Sequence, residues 1–115
     1  MDRVEELSQR KQEILKEIAD LPPMRKGSIS KQFLESERKD GSKRKRGPYW
    51  LWSYKEKKKT VSRRLRSAEQ RKRYGEQIEA FRRFKDLTTE LAQVSQELAD
   101  CIATDWGAEK KTSTL

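Results

Sequence analysis

The sequence predicts an α+β fold: long N- and C-terminal helices form an antiparallel helical hairpin or coiled coil, with a small three-stranded antiparallel sheet inserted between them. Two observations predict the helices, because apolar residues recur at helical spacing near the N-terminus and again over the last third of the chain. A third predicts the sheet, because the middle carries short runs rich in aromatic and β-branched residues, separated by turn-forming residues. We expect a single domain of modest size from 115 residues.

The N-terminal helix is expected over residues 1–21, with its regular part from Asp2 to Asp20. Its apolar residues follow one another in alternate steps of three and four, with Lys11 in the gap, which is the spacing of a heptad seam. They are Val4, Leu7, Ile14, Ile18 and Leu21. Pro22 and Pro23 end the helix, since proline lacks the amide donor, and residues 22–27 are expected to be a linker.

The middle segment, residues 28–66, is expected to form the sheet. The candidate strands are Ser28–Leu34, Pro48–Tyr54 and Thr60–Arg66, and the connections between them are residues 38–47 and 55–59. Asp40-Gly41 in the first connection is a strong hairpin signal. Short links between consecutive strands predict an antiparallel meander, with the aromatic-rich strand at its centre.

The C-terminal helix is expected over residues 67–103. Ser67 is a good N-cap residue, and Gln70 three positions later makes a capping box. One apolar stripe then continues for about eight turns, through Tyr74, Ile78, Phe81, Phe84, Leu87, Leu91, Val94, Leu98 and Cys101. Residues 104–115 are expected to be a flexible tail, with Trp106 folding back onto the helix, and the heptad spacing also makes a homodimer credible.

Charge is the most informative property of the composition. The net charge is +9, and residues 25–73 hold 19 Lys or Arg against five acidic residues, a local charge of +14. The two flanks together carry −5. A basic segment of this density between acidic flanks is either a solvated surface or the binding site of a polyanion, and we expect nucleic acid as the partner.

Several classes of protein are excluded by the residues and motifs that the sequence lacks. The chain has no histidine and only one cysteine, Cys101, so we expect neither a metal centre nor a catalytic histidine, and we expect no cofactor. Glycine-rich phosphate loops and nucleophile elbows are also missing, and the protein is therefore predicted not to be an enzyme. With no long apolar run and an acidic N-terminus, a cytoplasmic location without membrane contact is expected.

The candidate nucleic-acid contacts are basic side chains of the middle segment and of the first turns of the last helix. They are Lys43, Arg44, Lys45, Arg46, Lys57, Lys58, Lys59, Arg63, Arg64, Arg66, Arg71 and Arg73. The cluster Lys43–Arg46, next to Gly47, is expected to be a flexible tip that follows a phosphate backbone.

Aromatic residues of the central strand are candidates for stacking on unpaired bases. Strand alternation places Trp50, Trp52 and Tyr54 on one face, and Tyr49 on the other together with Leu51. The alternative is that these rings simply form the small core. Both hold if one face packs on the helices and the other contacts the ligand.

Three stretches of the sequence carry a likeness to a known family. They are Arg25–Ile29, then Gly47–Tyr54 with Thr60 and Arg63 after it, and Ala80–Leu87. On these residues the chain, from Gly27 to Leu98, resembles a family of short bacterial and archaeal proteins often encoded near transposases and other mobile elements. The resemblance implies a mobile-element context. Members commonly carry a cysteine cluster, suggestive of metal, just before the Gly-Pro-Tyr core, but here Glu35–Arg46 has no cysteine and is basic.

Taken together, these observations favour a nucleic-acid-binding accessory protein of a mobile element or phage. The alternative is a regulator or inhibitor that binds a nuclease or transposase, as a protein or ribonucleoprotein complex, through the same basic segment. A third alternative is a self-associating coiled-coil assembly factor.

Overall fold

The structure is a computed structural model that describes residues 2–102, so the predicted tail at 104–115, with Trp106, lies outside the described residues. Its elements are α1 (Arg3–Ala19), β1 (Ser28–Glu37), β2 (Lys43–Glu56), β3 (Lys59–Leu65) and α2 (Ala68–Ile102). The α+β class is confirmed, with two helices and, between them in sequence, a three-stranded antiparallel sheet. The chain divides into two compact units, one formed by residues up to 21 and from 82 onward, the other by residues 22–81.

In the first unit, α1 begins and ends where the sequence predicts. The Asp2 carboxylate caps the helix by accepting a hydrogen bond from the Glu5 amide at 2.8 Å. Two prolines follow the helix at Pro22 and Pro23.

Residues from α1 and from the C-terminal part of α2 share one apolar core. Leu7, Ile14, Leu87 and Val94 are buried, and Ile14 and Leu87 have no exposed surface. The half-buried residues packed against them are Ile18, Leu21, Leu91, Leu98 and Cys101. These residues belong to the two predicted apolar stripes.

Ion pairs join the two helices beside this core. Arg10 binds the Glu90 carboxylate through two nitrogens, at 2.6 and 2.8 Å. Two further pairs are Arg3 with Glu97 and Arg83 with Glu17, each with a contact at 2.6 Å. The hydrogen bond from Arg10 is the main cause that lowers the pKa of Glu90 below its usual value.

In the second unit, β2 lies between β1 and β3 and pairs antiparallel with both. Register places Ile29 opposite Trp52 on one side and Arg63 opposite Trp52 on the other. The predicted meander with the aromatic strand in its centre is therefore correct.

The first connection differs from its prediction. Lys43–Arg46 does not form a flexible tip, because these residues belong to β2 and pair with Leu34–Glu37 of β1. Only residues 38–42 form the turn, in which the Arg38 amide donates to the Ser42 carbonyl oxygen at 2.7 Å. The Asp40 carboxylate accepts hydrogen bonds from the Ser42 hydroxyl and amide, and both lower the pKa of Asp40.

A bulge interrupts β2 at Gly47-Pro48, where two residues stand opposite Phe33. Gly47 has a φ of +132°, and a Cβ at this position would lie 3.0 Å from the Gln32 carbonyl oxygen. The bulge therefore needs glycine. Because of the extra residue, the even-numbered Arg44 and Arg46 lie on the same face of the sheet as the odd-numbered Tyr49 and Leu51.

The core of the second unit lies between the sheet and the first turns of α2. Trp52, Leu65 and Ile78 are buried there, and Trp50, Tyr54 and Tyr74 pack around them. The Trp52 indole N–H donates to the Lys26 carbonyl oxygen at 2.9 Å. Gly27, with a φ of +112°, lies so close to the backbone of β2 that an added Cβ would be 2.4 Å from the Ser53 carbonyl oxygen.

The predicted start of the second helix is also correct. The Ser67 hydroxyl accepts a hydrogen bond from the Gln70 amide at 3.1 Å, and the Gln70 side chain accepts one from the Arg66 amide at 2.8 Å.

Within residues 2–102, neither helix has an apolar stretch long enough to cross a membrane.

Candidate nucleic-acid interface

Strand pairing divides the side chains of the sheet between two faces, because directly opposed residues point the same way. The inner face includes the residues that pack against the start of α2. Its strand residues are Ile29, Lys31, Phe33, Glu35, Glu37, Lys43, Lys45, Trp50, Trp52, Tyr54, Glu56, Lys59, Val61, Arg63 and Leu65. The outer face is the opposite one and carries Ser28, Ser30, Gln32, Leu34, Ser36, Arg44, Arg46, Tyr49, Leu51, Ser53, Lys55, Thr60, Ser62 and Arg64.

The outer face has a simple charge pattern. All three acidic residues of the strands, Glu35, Glu37 and Glu56, lie on the inner face. The outer face therefore bears four positive charges and no carboxylate among its strand residues; the charges belong to Arg44, Arg46, Lys55 and Arg64. A polyanion can approach this face without meeting a like charge from the strands.

Part of the sheet extends beyond the core as a two-stranded ribbon. We call this segment the arm: it comprises Leu34–Glu37, the turn, and Lys43–Arg46, and each of its residues is exposed. Its two faces have different chemistry, because Arg44 and Arg46 lie on the outer face whereas Lys43 and Lys45 lie on the inner face, opposite glutamates. The lysine charges are thus partly balanced and the arginine charges are not.

A concavity of about 270 Å³ lies on the outer face next to the arm. It is lined by Gln32, Leu34, Tyr49, Leu51 and Arg64. The guanidinium carbon of Arg64 stands 4.4 Å from the centroid of the Tyr49 ring, the geometry of a cation–π contact. Tyr49 is half-buried and forms part of the lining of this concavity.

The other aromatic candidates lie on the inner face. Trp52 is 6% exposed and contacts Tyr54 and Tyr74, with ring centroids 4.3 and 5.3 Å away. The proposal that Trp52 stacks on a base is therefore wrong, because its ring is used in the core. Trp50 and Tyr54 are half-buried beside it. Of the four stacking candidates, Tyr49 alone lies on the outer face.

The remaining basic candidates are distributed around the unit rather than gathered on one surface. Lys57 and Lys58 form the turn between β2 and β3, with φ values of 49° and 68°. On the inner side, the Arg71 guanidinium lies 5.0 Å from a Trp50 ring centroid, and Arg73 stands in a shallow depression with Glu69, Lys72 and Glu76. Lys59 and Arg63 lie on the inner face at the edge strand, and Arg66 links that strand to α2.

Sequence reasoning missed two basic residues with clear contacts. The Arg25 guanidinium lies between the rings of Trp52 and Tyr74, at 4.5 and 4.0 Å from their centroids, and its Nε donates to Gln77 at 2.9 Å. Arg25 is half-buried, and these contacts place it at the edge of the core. Lys31 lies over the rings of Phe33 and Trp50. For Lys31 the sequence signal would have been the strand register, which places it opposite Trp50.

Metal chemistry finds no support in the part of the chain that the structure describes. No three His, Cys, Asp or Glu side chains between residues 2 and 102 come together as a metal site. In the same range, no buried side-chain polar atom lacks a hydrogen-bond partner.

Fold and surface together define a small α+β protein with a basic, aromatic-bearing outer sheet face. The family described as a domain of unknown function (DUF6788) matches residues 4–80, two-thirds of the chain, and the protein belongs to this family. Comparison of the chain with curated proteins and with solved structures found no match. The family match includes the arm and the outer face.

Proposed function

We propose that this protein is a non-enzymatic nucleic-acid-binding accessory protein of a mobile element or phage, which contacts the phosphate backbone through its basic sheet. The observation that carries the proposal is the outer face, where arginines and one tyrosine stand together without a carboxylate among the strand residues. The mobile-element context is supported by the family resemblance of the Gly47–Tyr54 segment.

Arginine is well suited to this role. Its planar guanidinium donates hydrogen bonds to two phosphate oxygens at once, and it stays charged at any physiological pH. Arg44 and Arg46 are exposed on the outer face of the arm, and Arg64 is exposed on β3. Lys57 and Lys58 add charge at the other end of β2. The contacts would therefore extend along the whole of the central strand, roughly 45 Å at the usual rise per residue.

We also propose that α1 and the C-terminal part of α2 form an antiparallel coiled coil that serves as a scaffold. The interhelical ion pairs described above support this arrangement, because Arg3, Arg10 and Glu17 are spaced seven residues apart, and so are their partners. Charged pairs at heptad spacing beside an apolar seam are typical of coiled coils. Whether a second copy of the chain joins the assembly stays a prediction, to be checked by light scattering.

The function is tested by fluorescence anisotropy of the whole protein with labelled single-stranded DNA, duplex DNA and structured RNA over a series of salt concentrations. We expect sub-micromolar affinity for at least one ligand and a logarithmic salt dependence with a slope of about 0.7–0.9 for each phosphate contacted.

Binding that is weak, indiscriminate and lost at physiological salt would contradict the proposal. It would favour the alternative from the sequence, a regulator or inhibitor of a nuclease or transposase. In that case the same protein, immobilised, would retain a nuclease or transposase complex and not naked nucleic acid.

A further inference from the structure

The concavity on the outer face combines three kinds of chemistry in a small space. Leu34 and Leu51 supply apolar surface, while Tyr49 and Arg64 supply a ring and a guanidinium plane in contact with each other. Gln32 adds an amide that can both donate and accept hydrogen bonds. Its volume of about 270 Å³ is just below that of typical small-ligand sites, which begin at roughly 300 Å³.

From this geometry we infer that the concavity binds one unpaired base of a single-stranded nucleic acid, whose backbone runs along β2 past Arg44 and Arg46. The inference rests on the proposed function and deepens it, because it names the form of nucleic acid and the position of a base. Tyr49 and Arg64 would stack on the base, and Gln32 would contact its edge.

Charge and shape favour this occupant together. Arginine side chains can bind backbone phosphates, whereas an aromatic ring and two leucines offer a phosphate no favourable contact. A strand with unstacked bases offers both groups within one nucleotide, and aromatic or guanidinium planes are the usual partners of such bases. In a duplex the bases are stacked inside the helix and cannot reach a surface concavity without being extruded.

Arg44 and Arg46 can contact one strand of the ligand together. They are alternate residues of β2, so their Cα atoms are roughly 7 Å apart and their side chains share the outer face. The two guanidinium groups can therefore reach phosphates of the same nucleic-acid strand.

The test compares two labelled strands of equal length by fluorescence anisotropy over a series of salt concentrations. One is oligo-deoxythymidine, and the other is the same phosphodiester backbone with abasic sites in place of every base. The proteins are the native chain, Tyr49→Ala, Tyr49→Phe and the matched control Phe33→Ala, which removes a 44%-exposed ring from the opposite face. Circular dichroism checks that each variant is folded.

We expect the native protein to bind the base-bearing strand roughly 5- to 150-fold more tightly than the abasic strand, the factor that one stacked base contributes. Tyr49→Ala should reduce this preference to about one while leaving the salt slope unchanged. Tyr49→Phe and Phe33→Ala should keep the preference, because both retain a ring at position 49.

Each other outcome overturns the inference in a recognisable way. Equal affinity of the native protein for both strands would leave the proposed function intact and remove the base site. A preference that survives Tyr49→Ala, or is lost in Phe33→Ala, would place the base elsewhere. If neither strand binds and a labelled polyglutamate does, the proposed function fails as well.

Discussion

Two lysines hold the backbone in a conformation that their side chains disfavour. Lys57 and Lys58 both have positive φ, and a two-residue hairpin turn of this kind is normally made by Asn-Gly or Asp-Gly. For an ordinary L-residue the left-handed conformation costs about 1–2 kcal/mol. Locally unfavourable residues are often retained for function, and here they place two charges at the end of β2.

Replacement of both lysines by the preferred turn residues should therefore separate stability from binding. We expect the double variant Lys57→Asn, Lys58→Gly to raise the free energy of unfolding by about 1–2 kcal/mol, because the strain is relieved. Nucleic-acid affinity should fall, since two charges are lost. Urea unfolding and anisotropy measure the two effects.

The matched control for this turn is Lys57→Gln, Lys58→Gln, which removes the same charges without supplying a better turn. It should lower the affinity equally and leave the stability close to that of the native protein. An unchanged affinity in both variants would exclude the turn from the interface.

Individual residues also show where sequence reasoning reaches its limit. Alternation correctly separated Tyr49 from Trp50, Trp52 and Tyr54, but could not say which of the two faces would be covered. That choice depends on Ile78 and Tyr74 of α2, which pack against Trp52. Only tertiary packing therefore places Tyr49 on the face opposite to the core.

At the scale of elements, the two helices and the order of the strands could be predicted and the extent of β2 could not. Helices are encoded locally, by the Asp2 cap, the Ser67 cap and the apolar stripes. Lys43–Arg46 contains none of the β-branched or aromatic residues typical of strands, so its β structure comes from pairing across the turn. Cross-strand pairs of opposite charge, Glu37 with Lys43 and Glu35 with Lys45, contribute roughly 0.2–1 kcal/mol each.

The interhelical ion pair of Arg10 and Glu90 should make stability depend on pH. Because the folded-state pKa of Glu90 is lowered, its contribution is present above the ordinary glutamate value of 4.5 and is lost as pH falls through the folded value. Glu90→Gln should remove this dependence. The measurement is urea unfolding of both proteins between neutral and strongly acidic pH.

Asp40, whose pKa is also lowered, titrates in both proteins and cancels from the difference. The stability difference between the native protein and Glu90→Gln should therefore shrink toward acid pH. A double-mutant cycle with Arg10→Gln checks that the effect belongs to the pair. A constant difference over the whole pH range would contradict the role of the ion pair.

On the scale of the whole molecule, charge is divided between the middle of the chain and its flanks. Residues 25–73 carry +14, whereas the two flanks together carry −5. This division could be read from the sequence, and it points to a polyanion as partner. Its finer organisation depends on register, which places Arg44 and Arg46 on one face of the arm and the lysines and glutamates of its strands on the other.

The measurement that tests the central claim most directly compares two double variants with the same loss of charge. One is Arg44→Ala, Arg46→Ala on the outer face of the arm, and the other is Lys43→Ala, Lys45→Ala on its inner face. Anisotropy with single-stranded DNA over a salt series gives the slope for each. We predict that the arginine variant lowers the slope by about 1.4, two contacts at roughly 0.7 each, and that the lysine variant changes it little. Equal effects of the two variants would mean that binding follows net charge alone, and would contradict the assignment of the outer face as the nucleic-acid surface.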